Sequence, residues 1–365
     1  MTYQPGRSAF LITASPRVST AWTAGLPDAI DRVADAGPAH RRFLRRAWFA
    51  AAVAAYGGSP RTLLVHEDDT PVAALPIVAL GPKALGLAQV PGSYWPLRSA
   101  PIAQGASDAA IAAMVVALAG DVRALRLGPV QDDDPAALRL IAAARANGWT
   151  VIDRWVAPTS VLDIGAQRAA GTWPRPTTAR KNRFHEKHLA AHGVLDWRFL
   201  HDADWPTAFA ALGAIEGQAW VATRTDGRDA KFTARGHLAF WRAAAGDPVL
   251  AGMFTRSLVS VAEEPAAFTF QMDVGATRYA IATAYVPAYA KHSPGKLLYW
   301  RDLAVAADRG IARVDWGAGD SGYKAVIGAD PGPALRDWLF LRPGLTAAAG
   351  RALAGVWRRS GPMPS

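Results

Sequence analysis

The sequence contains no cysteine among its 365 residues. Structural disulfides, cysteine nucleophiles and thiolate zinc sites are therefore excluded. The chain also lacks a long apolar run, because the longest, residues 109–120, is about two-thirds of the roughly 20 residues that a membrane-spanning helix requires. The first ten residues, MTYQPGRSAF, show neither the basic nor the apolar segment of a secretory signal. We therefore expect a soluble, cytoplasmic protein.

Charged residues are also scarce, at 19% of the chain, whereas 51% of the residues are hydrophobic, which is typical of a packed globular protein. The 40 Lys and Arg residues exceed the 30 Asp and Glu residues and give a formal net charge of +10. Such a balance suits nucleic acid, a phosphate-rich cofactor or a membrane surface, and it is equally common in proteins rich in Arg and Ala. Charge alone therefore names no partner.

The length of the chain predicts two domains, which we place at residues 1–165 and 166–365. The basic, proline-containing stretch Arg168–His188 marks the junction. The first part alternates helices and strands. The second part holds three extended runs that predict an antiparallel meander, then a helix from Ser293 to Arg309 and a buried strand at 311–316; the three runs are 248–262, 266–274 and 277–286. This order predicts α/β lobes built on mixed sheets and does not fit a doubly wound parallel sheet.

Several common functional motifs are absent or incomplete. Gly317–Gly322 fits the spacing G-x-G-x-x-G, but the βαβ unit and the later acidic residue of a dinucleotide site are missing. His188 and His192 are four residues apart on one predicted helix, but no third ligand is near, so we predict no metal site. The sequence has neither a G-x-S-x-G elbow nor a P-loop.

The residues Ser293, Pro294 and Gly295 follow a predicted strand and open a predicted helix. Serine suits the capping position, proline suits the first helical position, and glycine leaves the backbone amides accessible to a ligand. Lys296 and His292 add positive charge. Because a helix N-terminus attracts anions, we predict that these five residues bind the pyrophosphate of a cofactor; an ordinary helix cap is the alternative.

Further short motifs follow in order within residues 285–328, namely Gly310, Asp315-Trp316-Gly317, Gly319 and Tyr323-Lys324. With the Ser-Pro-Gly element, this segment resembles the closing half of the GNAT fold in the bacterial CelD/FemAB-like acyltransferases. The resemblance extends over about residues 266–328. It implies a tandem pair of GNAT-like domains. The first domain, which has no Ser-Pro-Gly element and no Tyr-Lys pair, would be degenerate, so one cofactor site would remain.

The resemblance also implies the chemistry. Acetyl-CoA or another acyl-CoA is the expected co-substrate, and the acceptor attacks the thioester directly, without a metal. Tyr323 is the expected general acid for the departing thiolate, which suits a phenol with a pKa near 10. A backbone amide within residues 277–286 would stabilise the oxyanion. Asp315 would orient Lys324 or the acceptor, or would cap the turn that follows.

The acceptor is expected to be a small-molecule or lipid-linked sugar, modified at an amine or hydroxyl during cell-envelope or exopolysaccharide synthesis. Candidate acceptor-binding residues are Arg180 and Arg183 on a basic helix, with Gln218 and Trp220; a merely solvated helix face is the alternative. Two other functions stay open: an aminoacyl transferase that uses charged tRNA, which is the only alternative that involves nucleic acid, and a non-catalytic scaffold. Peripheral contact with membrane enzymes at the inner membrane face is a further expectation.

Overall fold

The computed structural model describes residues 16–93, 95, 97–201, 204–219, 227–319 and 322–360. The strands in these residues are β1 (Val18–Ala24), β2 (Arg61–Glu67), β3 (Thr70–Ala79), β4 (Leu87–Gln89), β5 (Ala124–Gln131), β6 (Thr150–Asp163), β7 (Leu195–Leu200), β8 (Phe254–Val261), β9 (Glu264–Val274), β10 (Thr277–Tyr285), β11 (Arg313–Ala318) and β12 (Asp330–Leu341). The α-helices are α1 (Ala29–Asp35), α2 (Arg46–Tyr56), α3 (Asp108–Asp121), α4 (Pro135–Ala146), α5 (Ile164–Ala169), α6 (Pro176–Ala190), α7 (Trp205–Glu216), α8 (Leu238–Ala245), α9 (Pro248–Met253), α10 (Pro294–Asp308), α11 (Tyr323–Ile327) and α12 (Leu345–Arg359). Short 3-10 turns precede α2, β4 and α10.

All twelve strands form one mixed sheet in the order β1-β2-β3-β4-β5-β12-β6-β11-β10-β9-β8-β7. The two halves of the sheet repeat one pattern. β4 runs parallel to β5, and β10 runs parallel to β11, while the other neighbouring strands are antiparallel. Each parallel pair is joined through a helix, α3 or α10, as a parallel connection requires. The mixed α/β architecture predicted from the sequence is confirmed.

The two halves exchange their last strands. β6 pairs with β11 in the C-terminal half, and β12 pairs with β5 in the N-terminal half; the two strands also pair with each other. Strands from the two sides of residue 165 therefore alternate in the middle of the sheet. The sequence predicts a separate mixed sheet in each lobe, whereas the structure has one continuous sheet.

Aromatic side chains from both halves of the chain pack together where the two halves meet. Tyr279 of β10 makes edge contacts with Phe43 and Trp95 of the N-terminal half, with ring centroids 5.7 and 5.3 Å apart. Trp48 of α2 contacts Phe43 at 5.1 Å and continues this group into the main core. Such edge-to-face pairs add to the stabilisation from burial, so Tyr279 is held in a fixed position at the centre of the molecule.

The predicted meander is confirmed at β9 and β10, but the first predicted run, residues 248–262, is wrong at its beginning. Pro248–Met253 is a helix, and strand β8 begins only at Phe254. The reason is local: the Asp247 side chain accepts a hydrogen bond from the Leu250 amide at 2.9 Å, and Pro248 occupies the first helical position. Among the described residues, no helix combines the length and the apolar character needed to cross a membrane.

Candidate active site

The parallel strands β10 and β11 separate part of the way along their length. Their pairing joins Thr277–Tyr279 to Arg313–Asp315, whereas β10 continues to Tyr285 and β11 to Ala318. A β-bulge at Ile281 interrupts the pairing of β10 with β9 at the same level. Because the extra residue of a bulge is left out of the ladder, its backbone groups are available to a ligand. The result is a gap in the sheet bordered by backbone on both sides.

Helix α10 begins beside this gap without a side-chain cap. Pro294 occupies the first turn as predicted, but the predicted capping role of Ser293 is wrong. Ser293 is in the left-handed region, with φ of 52°, instead of the extended conformation that lets a serine hydroxyl reach the first-turn amides. Gly295 is buried, and a Cβ atom at this position would lie 3.4 Å from the Tyr285 ring. The helix N-terminus therefore approaches β10 closely, and within the described residues no side chain caps it and its first turn contains no acidic residue.

A buried ion-pair network fixes α10 on the sheet. Arg278 of β10, 1% exposed, donates two hydrogen bonds of 2.7 Å to Asp273 and one of 2.6 Å to Asp302 of α10. Ser257 donates to the other oxygen of Asp302 at 2.7 Å. Burial alone lowers the pKa of Arg278, but the two carboxylates outweigh this effect and raise it, so the charged network persists.

Positive charge surrounds the N-terminus of α10. Burial first, and then the neighbouring Lys181 of α6, lower the pKa of Lys296. The turn before α10 contacts α6, and Nε2 of His292 lies 2.9 Å from Nε2 of His192, just after the end of α6. The described residues contain no group of three or more side chains arranged to hold a metal ion. This end of the gap can accept a polyanion, for which two Lys side chains and the helix dipole supply complementary charge.

Tyr323 begins helix α11 on the same face of the sheet as α10. It is half-buried, and its ring centroid lies 6.1 Å from that of Tyr299 of α10. Tyr299 in turn contacts Trp316 of β11 at 5.8 Å. Complete burial raises the pKa of Tyr299, which therefore keeps its proton. No local signal in the sequence distinguishes Tyr299, because an aromatic residue on a helix usually indicates only core packing.

Lys324 is buried, at 5% exposure, and stabilises the turn that follows β11. Its Nζ donates to the backbone carbonyls of Gly319 and, at 3.3 Å, of Trp316. Asp315 Oδ1 accepts a 2.7 Å hydrogen bond from the Gly317 amide, which is the contact expected if Asp315 caps this turn, whereas the hydrogen bonds of Lys324 named above go to backbone carbonyls.

Asp315 points to the face of the sheet opposite α10, since successive side chains of a strand alternate. There it lines a cavity of about 350 Å³ between the two halves of the chain. The C-terminal half contributes Thr277, Tyr279, Arg313 and Asp315, and the N-terminal half contributes His40, Arg41, Gln131, Asp133 and Pro135. We call this cavity the cleft. The gap between β10 and β11 thus has the α10 N-terminus on one face and the cleft on the other.

Side chains of the N-terminal half hold the Asp315 carboxylate. Gln131 Nε2 donates to Asp315 Oδ2 at 2.6 Å, and Arg41 donates to Gln131 Oε1 at 2.8 Å. Arg41 also pairs with Asp134 at 3.2 Å, and Asp134 accepts a 2.8 Å bond from Ser99. This chain of contacts fixes the Gln131 amide with its NH₂ group toward the carboxylate. Burial raises the pKa of Asp315, and the Gly317 amide, Arg41 and Gln131 act in the opposite direction.

Two other groups in the cleft stay uncharged near neutral pH. Burial raises the pKa of Tyr279 to about 12, and its hydroxyl donates to the His40 carbonyl at 2.8 Å. Burial and then the neighbouring Arg41 lower the pKa of His40. Burial therefore favours the protonated form of the Asp315 carboxyl group in the cleft.

The equivalent place in the N-terminal half is closed. The N-terminus of α3 is capped by Ser107, which accepts from Ala110 N at 3.1 Å, and Glu67 accepts from the Ser107 amide at 3.0 Å. Beside β5, the amides of Leu97 and Arg98 both donate to the Pro129 carbonyl, at 2.7 and 3.1 Å. Groups of the protein itself therefore occupy both the N-terminus of α3 and the space beside β5.

Three of the four predicted acceptor-binding residues lie in the described part of the chain, and none of these three lines the cleft. Arg180 is exposed on α6, which packs on the α10 face, and Arg183 borders a groove there with Trp197 and Arg301. Gln218 lies just after α7, is exposed, and donates to the Ala214 carbonyl of that helix at 3.2 Å. The remaining candidate, Trp220, lies outside the described residues.

One part of the chain matches a known protein family. Residues 178–325 match the family described as Acetyltransferase (GNAT) domain, a range that includes the α10 N-terminus, Asp315 and Tyr323. No curated protein matches the sequence.

Solved structures show the same fold over most of the chain. FemX is 12% identical with a TM-score of 0.59, covering 89% of this chain and 97% of its own. A conserved protein of unknown function from Bacteroides thetaiotaomicron is 11% identical with a TM-score of 0.55, covering 87% and 99%. The C-terminal domain of a putative lysylphosphatidylglycerol synthetase from Agrobacterium fabrum is 12% identical with a TM-score of 0.52, covering 92% and 98%. Residues 178–325 therefore match a GNAT acetyltransferase domain, which indicates an acyltransferase, and the solved structures share the fold of most of the chain.

Proposed function

We propose that the protein transfers an acyl group from acetyl-CoA or another acyl-CoA directly to an acceptor bound in the cleft. One observation carries this proposal: the gap between β10 and β11 joins an uncapped helix N-terminus on one face to a buried carboxylate on the other. Two substrates that bind on opposite faces would meet at this gap. The closed equivalent in the N-terminal half supports a single cofactor site.

The residues at the α10 N-terminus fit the polyphosphate of a coenzyme A thioester. The first-turn amides of α10, near Gly295, would bind the pyrophosphate, and Lys296 and His292 would add positive charge. Ser293 would contribute its backbone position and not a helix cap. When bound, the thioester supplies an activated acyl group. The edge of β10 beyond Tyr279, where pairing with β11 has ended, would hold the acyl group in the gap.

The chain's own side chains would move two protons. Asp315 would accept a proton from the acceptor, which makes its nitrogen or oxygen nucleophilic. The Ile281 amide, left out of the ladder by the bulge, would stabilise the negative charge that develops on the acyl oxygen. As the bond from the acceptor to the acyl carbon forms and the carbon–sulfur bond breaks, Tyr323 would donate its proton to sulfur. No covalent bond to the protein is required.

The acceptor class follows from the resemblance noted in the sequence. We propose an amine or hydroxyl of a cell-envelope or exopolysaccharide precursor. The similar domain from Agrobacterium fabrum is named for lysylphosphatidylglycerol synthesis, which supports an acceptor at the envelope. The alternative, an aminoacyl-tRNA donor, is favoured by the exposed basic side chains of α6, such as Arg180 and Arg183. In that case RNA would copurify with the protein and would be released by salt.

The test is acetyl-CoA binding by calorimetry with a Gly295→Leu variant. The new side chain would extend from a position already 3.4 Å from Tyr285 and would obstruct the approach to the helix N-terminus. We expect the Kd for acetyl-CoA to rise about tenfold or more. Gly120→Leu is the matched control, because this helical glycine in α3 has open space around it. Unchanged affinity in a folded Gly295→Leu variant would move the cofactor away from this helix.

A further inference from the structure

The Asp315 carboxylate is buried, at 5% exposure, and has no ion-pair partner within the described parts of the chain. Arg41, the nearest buried cation of the N-terminal half, is instead paired with Asp134. Arg313 is exposed on the same strand. A buried carboxylate without a counterion is costly, and a cationic ligand relieves that cost. An ammonium group bound in the cleft would act as the counterion of the Asp315 carboxylate.

A second cavity, of about 440 Å³, adjoins the cleft. His40, Arg41 and Pro135 line both cavities. The walls of the second cavity are mainly apolar and come from α1, the segment before α2, the loop before α3 and the start of α4: Ala34, Leu44, Ala100, Ile102, Ala103 and Ala136. We call it the apolar annex.

The main polar side chains of the apolar annex are already engaged. Asp134 is bound by Arg41, Ser99 and the Ala137 amide. Arg139 donates to the Ala106 carbonyl at 2.7 Å and pairs with Asp108. Sugar hydroxyls placed there would find few partners and would lose their hydration, whereas a hydrocarbon group would gain from leaving water. The volume lies within the range of small-molecule sites.

We propose that the acceptor is a primary amine attached to an apolar group, with the ammonium at Asp315 and the apolar group in the apolar annex. This inference rests on the proposed function, since it names the class of acceptor for the same cleft. It favours an amphipathic or lipid-linked amine over a free, fully hydrophilic amino sugar.

The experiment measures binding of butyl-, hexyl- and octylammonium and of glucosamine to the full chain by calorimetry. In the wild type, we expect affinity to rise about fourfold for each added methylene group until the annex is filled, and glucosamine to bind more weakly than hexylammonium. Affinity that does not change with chain length, or glucosamine binding as tightly as octylammonium, would overturn the proposal. Absence of binding by every amine would overturn it as well.

Three variants locate the two ends of the ligand. Ala136→Phe should fill the annex and remove the gain with chain length, while Leu138→Phe, on an exposed face of the same helix, should leave it unchanged. Asp315→Asn should weaken all alkylammonium ions by a similar factor and preserve the gain per methylene. If Ala136→Phe does not fold, Ala100→Leu serves the same purpose. A full chain-length gain in a folded annex variant contradicts the assignment of the annex.

Two measurements distinguish failure of this inference from failure of the proposed function. Acetyl-CoA binding is measured on the same samples, and its loss would count against the cofactor site alone. Chain-length dependence is measured without turnover, so its failure would leave the GNAT chemistry intact and remove only the apolar acceptor.

Discussion

The hydrogen bond from Gln131 to Asp315 offers the sharpest test of how the two halves cooperate. Its length of 2.6 Å and its buried setting are typical of a strong bond to a charged acceptor. Such bonds contribute about 1.5–3 kcal/mol. In Gln131→Leu the donor is lost while the volume is nearly kept. Because a hydrogen bond to the ionised form lowers a pKa, its loss should raise the pKa of Asp315 by about 1–2 units.

The sign of the kinetic effect follows from the role of Asp315. A general base acts in its ionised form, so kcat/KM falls as the pH drops through its pKa. Raising that pKa moves the acidic limb of the profile to higher pH by the same amount, about 1–2 units. The assay is CoA release from acetyl-CoA with hexylamine as acceptor. The ratio of variant to wild type at each pH cancels the titration of the amine itself.

Two further variants make the reasoning refutable. Asp133→Asn removes an exposed carboxylate that lines the same cleft, and it should leave the acidic limb nearly in place. Gln131→Glu places a second carboxyl group against Asp315, and it should shift the limb at least as far as the leucine variant, because two adjacent carboxylates do not both ionise readily. A merely structural Gln131 would lower kcat/KM by one factor at every pH. That flat ratio, in a protein of normal melting temperature, would refute the positioning role.

Two more predictions concern Tyr323 and the anchor of α10. Tyr323→Phe should reduce kcat about a hundredfold or more and leave acetyl-CoA affinity nearly unchanged, whereas a structural tyrosine would lower the melting temperature and spare turnover. Asp302→Ala leaves Arg278 buried with one carboxylate fewer, so urea unfolding should show a loss of about 3–5 kcal/mol. Ser257→Ala, which removes only a hydrogen bond to Asp302, should cost about 1–3 kcal/mol. Equal losses in these two variants would contradict the ionic network.

Local signals in the sequence were sufficient for several elements of the site. The proline of Ser293-Pro294-Gly295 marked the start of α10, and the extended runs at 266–274 and 277–286 located β9 and β10. These features depend on residues within one turn or one strand, so a single sequence contains them. The same short range explains the errors. Asp247 and Pro248 begin a helix at residues that resemble the start of a strand. The Ser293 hydroxyl does not cap α10, because the backbone of Ser293 is left-handed.

The cleft was decided by the tertiary structure alone. Gln131 and Asp315 are 184 positions apart, and Arg41 lies a further 90 positions before Gln131. The period of a strand predicts which face a side chain occupies but not which strand lies beside it. The exchange of β6 and β12 between the halves depends on which strands become neighbours, so the period of the strands does not predict it. Sequence order therefore determined the helix N-terminus that would bind the cofactor, while long-range strand pairing brought the N-terminal half against Asp315 and created the place for an acceptor.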